Sequence, residues 1–181
     1  MNNTEKEILQ LIRSDETRSY GFNVLIRTYQ EKVYWVIRRM VVVHEDSDDL
    51  VQEVFLKVWK SLGGFKGDSK LYTWIYRIAV NEALSHLRRK QRRFFIPLVD
   101  VEKELTSHIN DVSCFDGDET ERMLQKAILT LPEKQRLVFN LKYFEEMKYQ
   151  DMSEILNVSV GGLKAQYHHA VKKIKKELGV D

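Results

Sequence analysis

The chain has 181 residues, of which 43% are hydrophobic and 31% are charged, and this composition is typical of folded domains rather than of disordered chains. A single cysteine, Cys114, excludes an internal disulfide and a cysteine-rich zinc ribbon. The charged segment from Met1 to Glu16 does not resemble a signal peptide, and no apolar run approaches the roughly 18 residues of a membrane span. The sequence therefore predicts a soluble, cytoplasmic protein with one domain or two small ones.

The net charge of +2 is unevenly distributed along the chain. Residues 1–93 carry 17 basic and 12 acidic side chains, residues 94–118 carry 1 and 6, and residues 119–181 carry 11 and 9. Clustered lysine and arginine attract phosphate backbones, so two basic segments joined by an acidic one favour a nucleic-acid partner. Charge alone does not decide the matter, because most charged surfaces are simply solvated.

Two helices are predicted in the first part of the chain. Apolar residues at spacings of three and four predict an amphipathic helix over Phe22 to Met40. The next helix is predicted to be capped by Asp46 or Ser47, whose side chains can accept hydrogen bonds from free backbone N–H groups. Gly63-Gly64 is predicted to end it, because glycine tolerates the left-handed backbone of many helix exits.

A loop over Phe65 to Thr73, with a turn at Gly67-Asp68, is predicted to connect to a further helix over about Tyr72 to Arg93. The inward-facing residues of that helix are predicted to be Ile75, Ile78, Ala79, Ala83 and Leu87. Its end, from Arg88 to Arg93, holds five cations, which is more than is needed for a favourable interaction with the negative end of the helix dipole. Cations beside aromatic residues suit single-stranded or distorted nucleic acid, although core packing explains Trp74 at least as well.

The remaining sequence predicts an extended acidic linker over residues 94–118, followed by short helices. These helices are predicted over Glu119 to Thr130, Glu133 to Phe144, Gln150 to Leu156, and Val160 to about Leu178. Asn157 suits a left-handed turn and Ser159 suits an N-cap, so the last two helices read as a helix–turn–helix.

The last helix is predicted to bind duplex DNA, because the first residues of a recognition helix lie in the major groove. The residues predicted to contact DNA are Ser159, Gly161, Gly162, Lys164, Ala165, Gln166, His168, His169, Lys172 and Lys173. An ordinary amphipathic helix with a solvated lysine face is the alternative interpretation.

The outer face of the second predicted helix, with Asp49, Glu53 and Leu56, is a mixed polar and apolar surface that suits a protein partner. A paired-carboxylate catalytic site is disfavoured because no histidine, cysteine or second acidic motif completes it. His168 and His169 are adjacent and point about 100° apart, which makes them a poor metal pair. We therefore expect neither enzymatic activity nor a cofactor.

In this order and spacing, these elements resemble the extracytoplasmic-function (ECF) class of bacterial RNA polymerase sigma factors. The matching segments are residues 46–93, which begin DSDDLVQEVFLKVW, and residues 131–178, which begin LPEKQRLVFNLKY. The resemblance implies an all-α fold of two small helical domains joined by a flexible acidic linker. It implies an N-terminal domain over residues 1–93, a linker over 94–118 and a helix–turn–helix domain over 119–181.

The resemblance also implies what each surface binds. Residues expected to dock on the β′ clamp helices of core RNA polymerase are Asp49, Leu50, Gln52, Glu53, Leu56 and Trp59. Residues expected to bind and open the promoter minus-10 element, where an extruded base is captured, are Phe65, Lys66, Tyr72, Arg77, Asn81, Arg88, Arg89 and Arg92. The last helix would read the minus-35 element in duplex form, its domain would also touch the polymerase β flap, and the linker would thread toward the RNA exit channel.

The start of the last helix departs from the pattern common in the family, so the resemblance does not say which minus-35 sequence is read. Gly162 is expected to weaken the first turn by up to about 1 kcal/mol relative to alanine. An anti-sigma protein is implied as a further partner, and a form in which the two domains close on each other is left open. Two alternatives are a free-standing helix–turn–helix regulator, which leaves residues 46–93 unexplained, and a protein-binding adaptor, which leaves both basic helices unexplained.

Overall fold

The computed structural model describes residues 3–94 and 119–180, and all regular secondary structure in these ranges is helical. Its α-helices are α1 (Asn3–Arg13), α2 (Arg18–Val41), α3 (His44–Ser61), α4 (Leu71–Phe94), α5 (Glu119–Leu129), α6 (Glu133–Tyr143), α7 (Tyr149–Leu156) and α8 (Val160–Glu177). A short 3-10 helix, Leu62–Gly64, follows α3. The prediction of an all-α fold is confirmed. The predicted linker lies outside the described residues, apart from Phe94, which ends α4. Within the described ranges, no helix combines the length and apolar character that crossing a membrane requires.

Helix α1 was not predicted from the sequence pattern, and it packs on the first turns of α2. Its residues Ile8 and Ile12 are buried in the main hydrophobic core. At Gly21 of α2, a Cβ atom would lie 2.7 Å from Cβ of Leu11, so glycine permits the close approach of the two helices. A helix this short is marginal alone, and this packing is what stabilises it.

Helix α3 begins earlier than the sequence predicted, and the predicted cap is wrong. The helix starts at His44, and the N-cap residue Val43 provides no side-chain cap. The Ser47 hydroxyl is buried in the first turn and donates to the Val43 carbonyl at 2.6 Å. Asp46 faces α4 instead, where its carboxylate lies 3.3 Å from Nε2 of His86. Asp46 thus acts across helices, because α4 packs against α3.

The loop before α4 is shorter than predicted, because Leu71, Tyr72 and Thr73 already belong to the helix. Gly67 has a φ of 83°, which confirms the predicted turn at a position that favours glycine. Glu5 of α1 is buried, and its carboxylate accepts hydrogen bonds from the Tyr72 backbone N–H at 3.1 Å and from the Tyr29 hydroxyl at 3.3 Å. An unpaired N–H at the start of α4 is thereby satisfied from α1. Of the predicted inward-facing residues, Ile75, Ala79, Ala83 and Leu87 are buried and Ile78 is half-buried.

The N-terminal domain (α1–α4) and the C-terminal domain (α5–α8) share one hydrophobic core. Residues that the C-terminal domain contributes to it are Leu137, Val138, Leu141, Met147, Met152, Ile155 and Leu163. A second cluster lies within the C-terminal domain and contains Ala127, Ile128, Leu131, Phe139, Ala170 and Ile174. In this structure the two domains are therefore closed on each other, through contacts of α7 with α4 and of α6 with α2.

Candidate nucleic-acid and protein interfaces

The turn that precedes α8 has the geometry predicted from the sequence. Asn157 is left-handed, with φ 53° and ψ 44°, and the Ser159 hydroxyl accepts a hydrogen bond from the Gly162 N–H at 3.2 Å. A Cβ atom at Gly162 would lie 3.2 Å from both Oγ of Ser159 and Cγ1 of Val158. Glycine at this position therefore leaves room for the cap, which offsets the expected loss of helix propensity.

The predicted DNA-contacting face of α8 is open to solvent. Its exposed members are Ser159, Gly161, Lys164, Ala165, His168, His169, Lys172 and Lys173, whereas Gly162 and Gln166 are half-buried. On the other side of the helix, Leu163, Ala170 and Ile174 are buried. The ammonium of Lys173 donates to the Thr130 carbonyl at 2.5 Å, so this cation also ties α8 to the end of α5.

The basic end of α4 is likewise exposed, and it carries several of the predicted minus-10 residues. Asn81, Arg88, Arg89 and Arg92 are all exposed. Lys66, in the preceding loop, is also exposed. Arg88, Arg89 and Arg92 thus give the end of α4 an exposed cationic surface, whereas Lys66 lies near the other end of the helix.

The first turns of α4 have a different environment, because the C-terminal domain covers them. The ammonium of Lys70, just before the helix, lies 2.9 and 3.2 Å from the two carboxylate oxygens of Asp151 in α7. The Tyr72 hydroxyl donates to the same carboxylate. Arg77 donates to the Glu154 carbonyl through Nε at 3.1 Å and Nη2 at 2.7 Å. Two predicted minus-10 residues, Tyr72 and Arg77, are thus engaged within the protein.

The Asp151 carboxylate is buried and fully hydrogen-bonded. Burial by itself would raise its pKa, but the hydrogen bonds from Lys70 and Tyr72 outweigh burial and hold the pKa below its usual range. The same contact raises the pKa of Lys70. Burial, followed by the hydrogen bond to Asp151, raises the pKa of the Tyr72 hydroxyl. The sequence did not single out Lys70 or Asp151, because 81 residues separate them.

A second carboxylate, Glu145 in the loop between α6 and α7, makes a matching contact. It accepts from Arg39 at 2.8 Å and from the Tyr76 hydroxyl at 3.1 Å. The Arg39 guanidinium also lies 4.2 Å from the centre of the Phe144 ring. Burial lowers the pKa of Arg39 although Glu145 opposes the effect, and burial followed by the charge of Glu145 raises the pKa of Tyr76. A cavity of 340 Å³ between the domains is lined by residues of both contacts.

Phe65 contributes more to packing than the sequence analysis expected. It is half-buried, and its ring centre lies 5.1 Å from that of Trp74. Both residues pack against the main core. The core-packing interpretation of Trp74 therefore fits the structure, and Phe65 packs beside it as a half-buried residue.

An apolar depression of 480 Å³ between α2 and α3 is lined by three of the predicted protein-binding residues, Gln52, Leu56 and Trp59. Leu56 is 59% exposed, which is unusual for a large apolar side chain, and Trp59 packs its ring 4.8 Å from that of Phe22. The polar residues of the predicted surface, Asp49, Gln52 and Glu53, are exposed. The prediction that Leu50 contacts polymerase is corrected by the structure. Leu50 is 2% exposed and its side chain packs in the core on the inner side of α3, so it cannot contact a partner.

Two cationic helices, one of them in a helix–turn–helix, together with an exposed apolar depression define a transcription factor that binds DNA and a protein partner. Residues 25–93 match the family described as Sigma-70 region 2. Residues 121–174 match the family described as Sigma-70, region 4. These two matches cover most of the described helices.

Relatives and a solved structure agree with those matches. The chain is 31% identical to the RNA polymerase sigma-H factor of Pseudomonas aeruginosa over 96% of this chain and 93% of that protein. It is 31% identical to the ECF RNA polymerase sigma-E factor of Haemophilus influenzae over 97% of this chain and 95% of that protein. Its fold is similar to that of the Bartonella quintana sigma factor RpoE in complex with the anti-sigma factor NepR, with a TM-score of 0.69, 20% identity and coverage of 88% and 98% of the two chains.

The chain belongs to the extracytoplasmic-function family of RNA polymerase sigma factors, which direct core polymerase to specific promoters for transcription initiation. The resemblance seen in the sequence is therefore confirmed. The alternative of a free-standing helix–turn–helix regulator finds no support among these relatives.

Proposed function

We propose that three separate surfaces of this chain divide the work of initiation. The depression between α2 and α3 binds core polymerase, α4 and the loop before it bind and open the minus-10 element, and α8 reads the minus-35 element as duplex. One observation supports this assignment above others: the exposed apolar side chain of Leu56 and the two cationic faces lie on three different helices. One polymerase and two promoter elements can then bind at the same time.

The polymerase surface has an apolar centre and a charged rim, which is the usual anatomy of a protein interface. Leu56 and Trp59 line the depression. The exposed acids Asp49 and Glu53 lie seven and three residues before Leu56, so they share its face of α3 and form the rim. A helical partner such as the β′ clamp helices fits a groove between two helices. The acidic rim adds electrostatic complementarity for a basic partner surface, which favours fast and specific association.

The two DNA surfaces serve different forms of DNA. The cations at the end of α4, among them Arg88 and Arg92, pair with phosphates, and the exposed part of Phe65 together with Tyr72 supplies rings for unstacked bases. On α8, Lys164 and Gln166 lie in the first turns, where side chains reach base edges, and Lys172 lies further along, where it reaches phosphate. The C-terminal domain also contacts the β flap.

The proposed function includes a regulatory protein partner and a cellular compartment. The similar Bartonella quintana sigma factor is bound by an anti-sigma factor, and we infer that a protein of that kind binds this chain as well. The chain acts in the cytoplasm, where core polymerase is found. It contributes binding energy to initiation and has no catalytic activity and no small-molecule substrate of its own.

The test is abortive transcription in vitro with core polymerase, with and without this protein, on a library of promoter fragments. Initiation at a defined set of sequences that depends on the protein is the expected result, and the selected fragments give both promoter elements. Absence of such initiation with folded protein and active core polymerase would overturn the proposal.

The polymerase surface has its own test in the charge reversal Glu53→Arg. This variant should weaken association with core polymerase at least about tenfold, because a reversed rim charge repels a partner selected for the opposite sign. Glu31→Arg is the matched control, since Glu31 is also an exposed acid of the N-terminal domain but lies on α2 and not on the face of α3 that carries Leu56. Equal affinity of both variants, measured by fluorescence anisotropy of labelled protein, would place the partner surface elsewhere.

A further inference from the structure

A cavity of 450 Å³ beside α1 has no part in the function proposed above. We call it the α1 cavity. Its walls come from α1, from Arg18 at the start of α2, from the 3-10 helix and from the loop before α4. A Cβ atom at Gly63, in the 3-10 helix, would meet no atom within 4 Å, so the protein leaves free space at this residue. The α1 cavity therefore offers room for a ligand next to the loop proposed to bind single-stranded DNA.

Helix α1 turns one face to the core and another to the α1 cavity. Glu5 and Ile8 are buried on the core face. The cavity face is formed by residues at spacings of three, four and seven, which place side chains on one side of a helix. Its members are Lys6, Leu9, Gln10 and Arg13. Packing of α1 against α2 explains the core face, but it gives no reason for two cations on the cavity face.

The α1 cavity is positively charged, and its cations lack acidic partners within the described parts of the chain. Lys6, Arg13 and Arg18 supply three positive charges and Asp15 supplies one negative charge. Among residues 3–94 and 119–180, no acidic side chain makes a hydrogen bond or ion pair with any of these three cations. Nε of Arg18 is buried without a hydrogen-bond partner, and the guanidinium carbon of Arg18 lies 5.0 Å from the centre of the Trp59 ring. A bound anion would balance these charges and satisfy their donors.

The uncharged part of the α1 cavity fits a nucleobase. Leu9, Leu62 and Phe65 line this part, and Phe65 is half-buried. An aromatic ring beside cations suits single-stranded nucleic acid, because a base stacks on the ring while the cations pair with phosphate. The chemistry of the α1 cavity is therefore that of a nucleotide site.

The position of the α1 cavity favours a nucleotide that belongs to a strand. The cavity shares Phe65 and Gly67 with the loop before α4. The exposed residues Arg88 and Arg92 lie near the other end of α4, a helix of 24 residues that is about 36 Å long. A strand that follows α4 from these arginines to the loop reaches the α1 cavity next, because the loop is one of its walls.

From these observations we propose that the α1 cavity binds the opened strand immediately beyond the minus-10 element. Lys6, Arg13 and Arg18 pair with phosphates, and Phe65 stacks on a base. The inference rests on the proposed role of α4 and its loop in opening that element, and it adds α1 as a further DNA-binding helix. Because the DNA between the two promoter elements stays duplex, the bound nucleotides lie on the side of the minus-10 element away from the minus-35 element.

The test uses holoenzyme assembled from core polymerase and the full chain, with promoter fragments selected by abortive transcription. Each fragment carries both promoter elements and a single strand that either ends with the minus-10 element or continues for several nucleotides. The double variant Lys6→Gln/Arg13→Gln removes two exposed cations of the cavity face. The matched control Arg27→Gln/Lys32→Gln removes two exposed cations of α2 that lie at least about 13 Å along the helix from Arg18. Fluorescence anisotropy at several salt concentrations gives the affinity for each labelled fragment.

The unsubstituted holoenzyme should bind the extended fragment at least about fivefold more tightly than the short one, because an additional base is stacked. Lys6→Gln/Arg13→Gln should lose most of that gain while binding the short fragment as before. For the extended fragment, the double variant should also lower the slope of log affinity against log salt by about 1.4 units, because two phosphate contacts to a single strand are lost. The control should keep both the gain and the slope. The inference is overturned if the double variant keeps them too, or if the control loses as much.

Two further results separate this inference from its alternatives. Thermal stabilisation of the free protein by mixed nucleoside monophosphates that requires Lys6 and Arg13, with no effect of their substitution on the extended fragment, would assign the α1 cavity to a free nucleotide and overturn the inference. Failure of the unsubstituted holoenzyme to bind even the short fragment overturns the proposed function and this inference with it. Normal binding of the short fragment without any gain from the extension overturns this inference alone.

Discussion

The two helices proposed to bind DNA differ in how much of their binding face the folded chain leaves open. The face of α8 that carries Lys164 and Lys172 is exposed, because the opposite side of the helix satisfies the packing needs of its domain. The first turns of α4 are covered from outside, and Tyr76 is 4% exposed. The closed protein thus leaves open the helix proposed to read duplex DNA and covers the first turns of the helix proposed to open the strands.

The largest expected effect comes from removing a side chain that both domains bury. Leu141→Ala should lower the free energy of unfolding by about 2–5 kcal/mol, because a fully buried leucine leaves a cavity in the shared core. Urea denaturation followed by tryptophan fluorescence measures it, since Trp35, Trp59 and Trp74 all lie in the N-terminal domain. The control Lys134→Ala, an exposed site on the same helix, should stay within about 0.5 kcal/mol. An unchanged tryptophan transition for Leu141→Ala would show that the domains fold independently.

A second pair of substitutions compares the two DNA-binding helices directly in the free protein. Lys172→Ala should weaken duplex binding for all sequences and lower the slope of log affinity against log salt by about one unit, because one phosphate contact is lost. Arg77→Ala should leave that slope unchanged, because Arg77 is bonded to the Glu154 carbonyl in the closed protein. Salt titrations of a labelled duplex measure both. Equal slopes for the two variants would contradict the difference in exposure described above.

A smaller effect is expected for the two glycines at the start of α8. Gly161→Ala should raise the free energy of unfolding by about 0.5–1 kcal/mol, because its Cβ would meet open space and alanine favours the helix. Gly162→Ala should give no such gain, since its Cβ would crowd the Ser159 cap at 3.2 Å. Thermal unfolding of both variants measures the difference. The same gain at both positions would show that the cap adjusts freely.

The smallest expected effect is that of pH on the closed arrangement of the two domains. The depressed pKa of Asp151 means that its contribution to the closed form is present above the ordinary aspartate value of about 3.9 and is lost as pH falls through the lower folded value. The raised pKa of Tyr72 means that its contribution is present below the ordinary tyrosine value of about 10 and is lost at higher pH. The distance between fluorescent labels at the exposed positions Lys60 and Glu177, attached through introduced cysteines after Cys114→Ser and measured by energy transfer, should therefore stay constant between about pH 5 and pH 9. A change within that range would point to a histidine as the controlling group.

Much of the fold follows from local patterns in the sequence. The ends of α4, α6 and α8 lie within one or two residues of their predicted positions, because apolar spacing and breakers such as Pro132 define them locally. Asn157 and Ser159 were recognised for the same reason, since a left-handed turn and an N-cap each depend on a single side chain. The surface residues of the candidate sites were also predictable as helix faces.

The parts that could not be predicted depend on contacts between distant residues. The cap of α4 comes from Glu5, 67 positions away from Tyr72, and the contact of Arg39 with Glu145 spans 106 positions. Leu50 was misplaced because it adjoins the exposed acids in sequence, while the helical period turns it inward. No periodic pattern carries the information that one domain will fold back on the other.

The exposure of Leu56 has a consequence for the rates of assembly. The depression around it stays open while the domains are closed, so the first encounter with polymerase does not have to wait for separation. If the domains separate after that encounter, their separation is a step within the complex and its rate does not depend on concentration. The observed rate of forming a competent holoenzyme should then level off as polymerase concentration rises, and the plateau is the rate of domain separation. Association with polymerase would then be faster than formation of the competent holoenzyme.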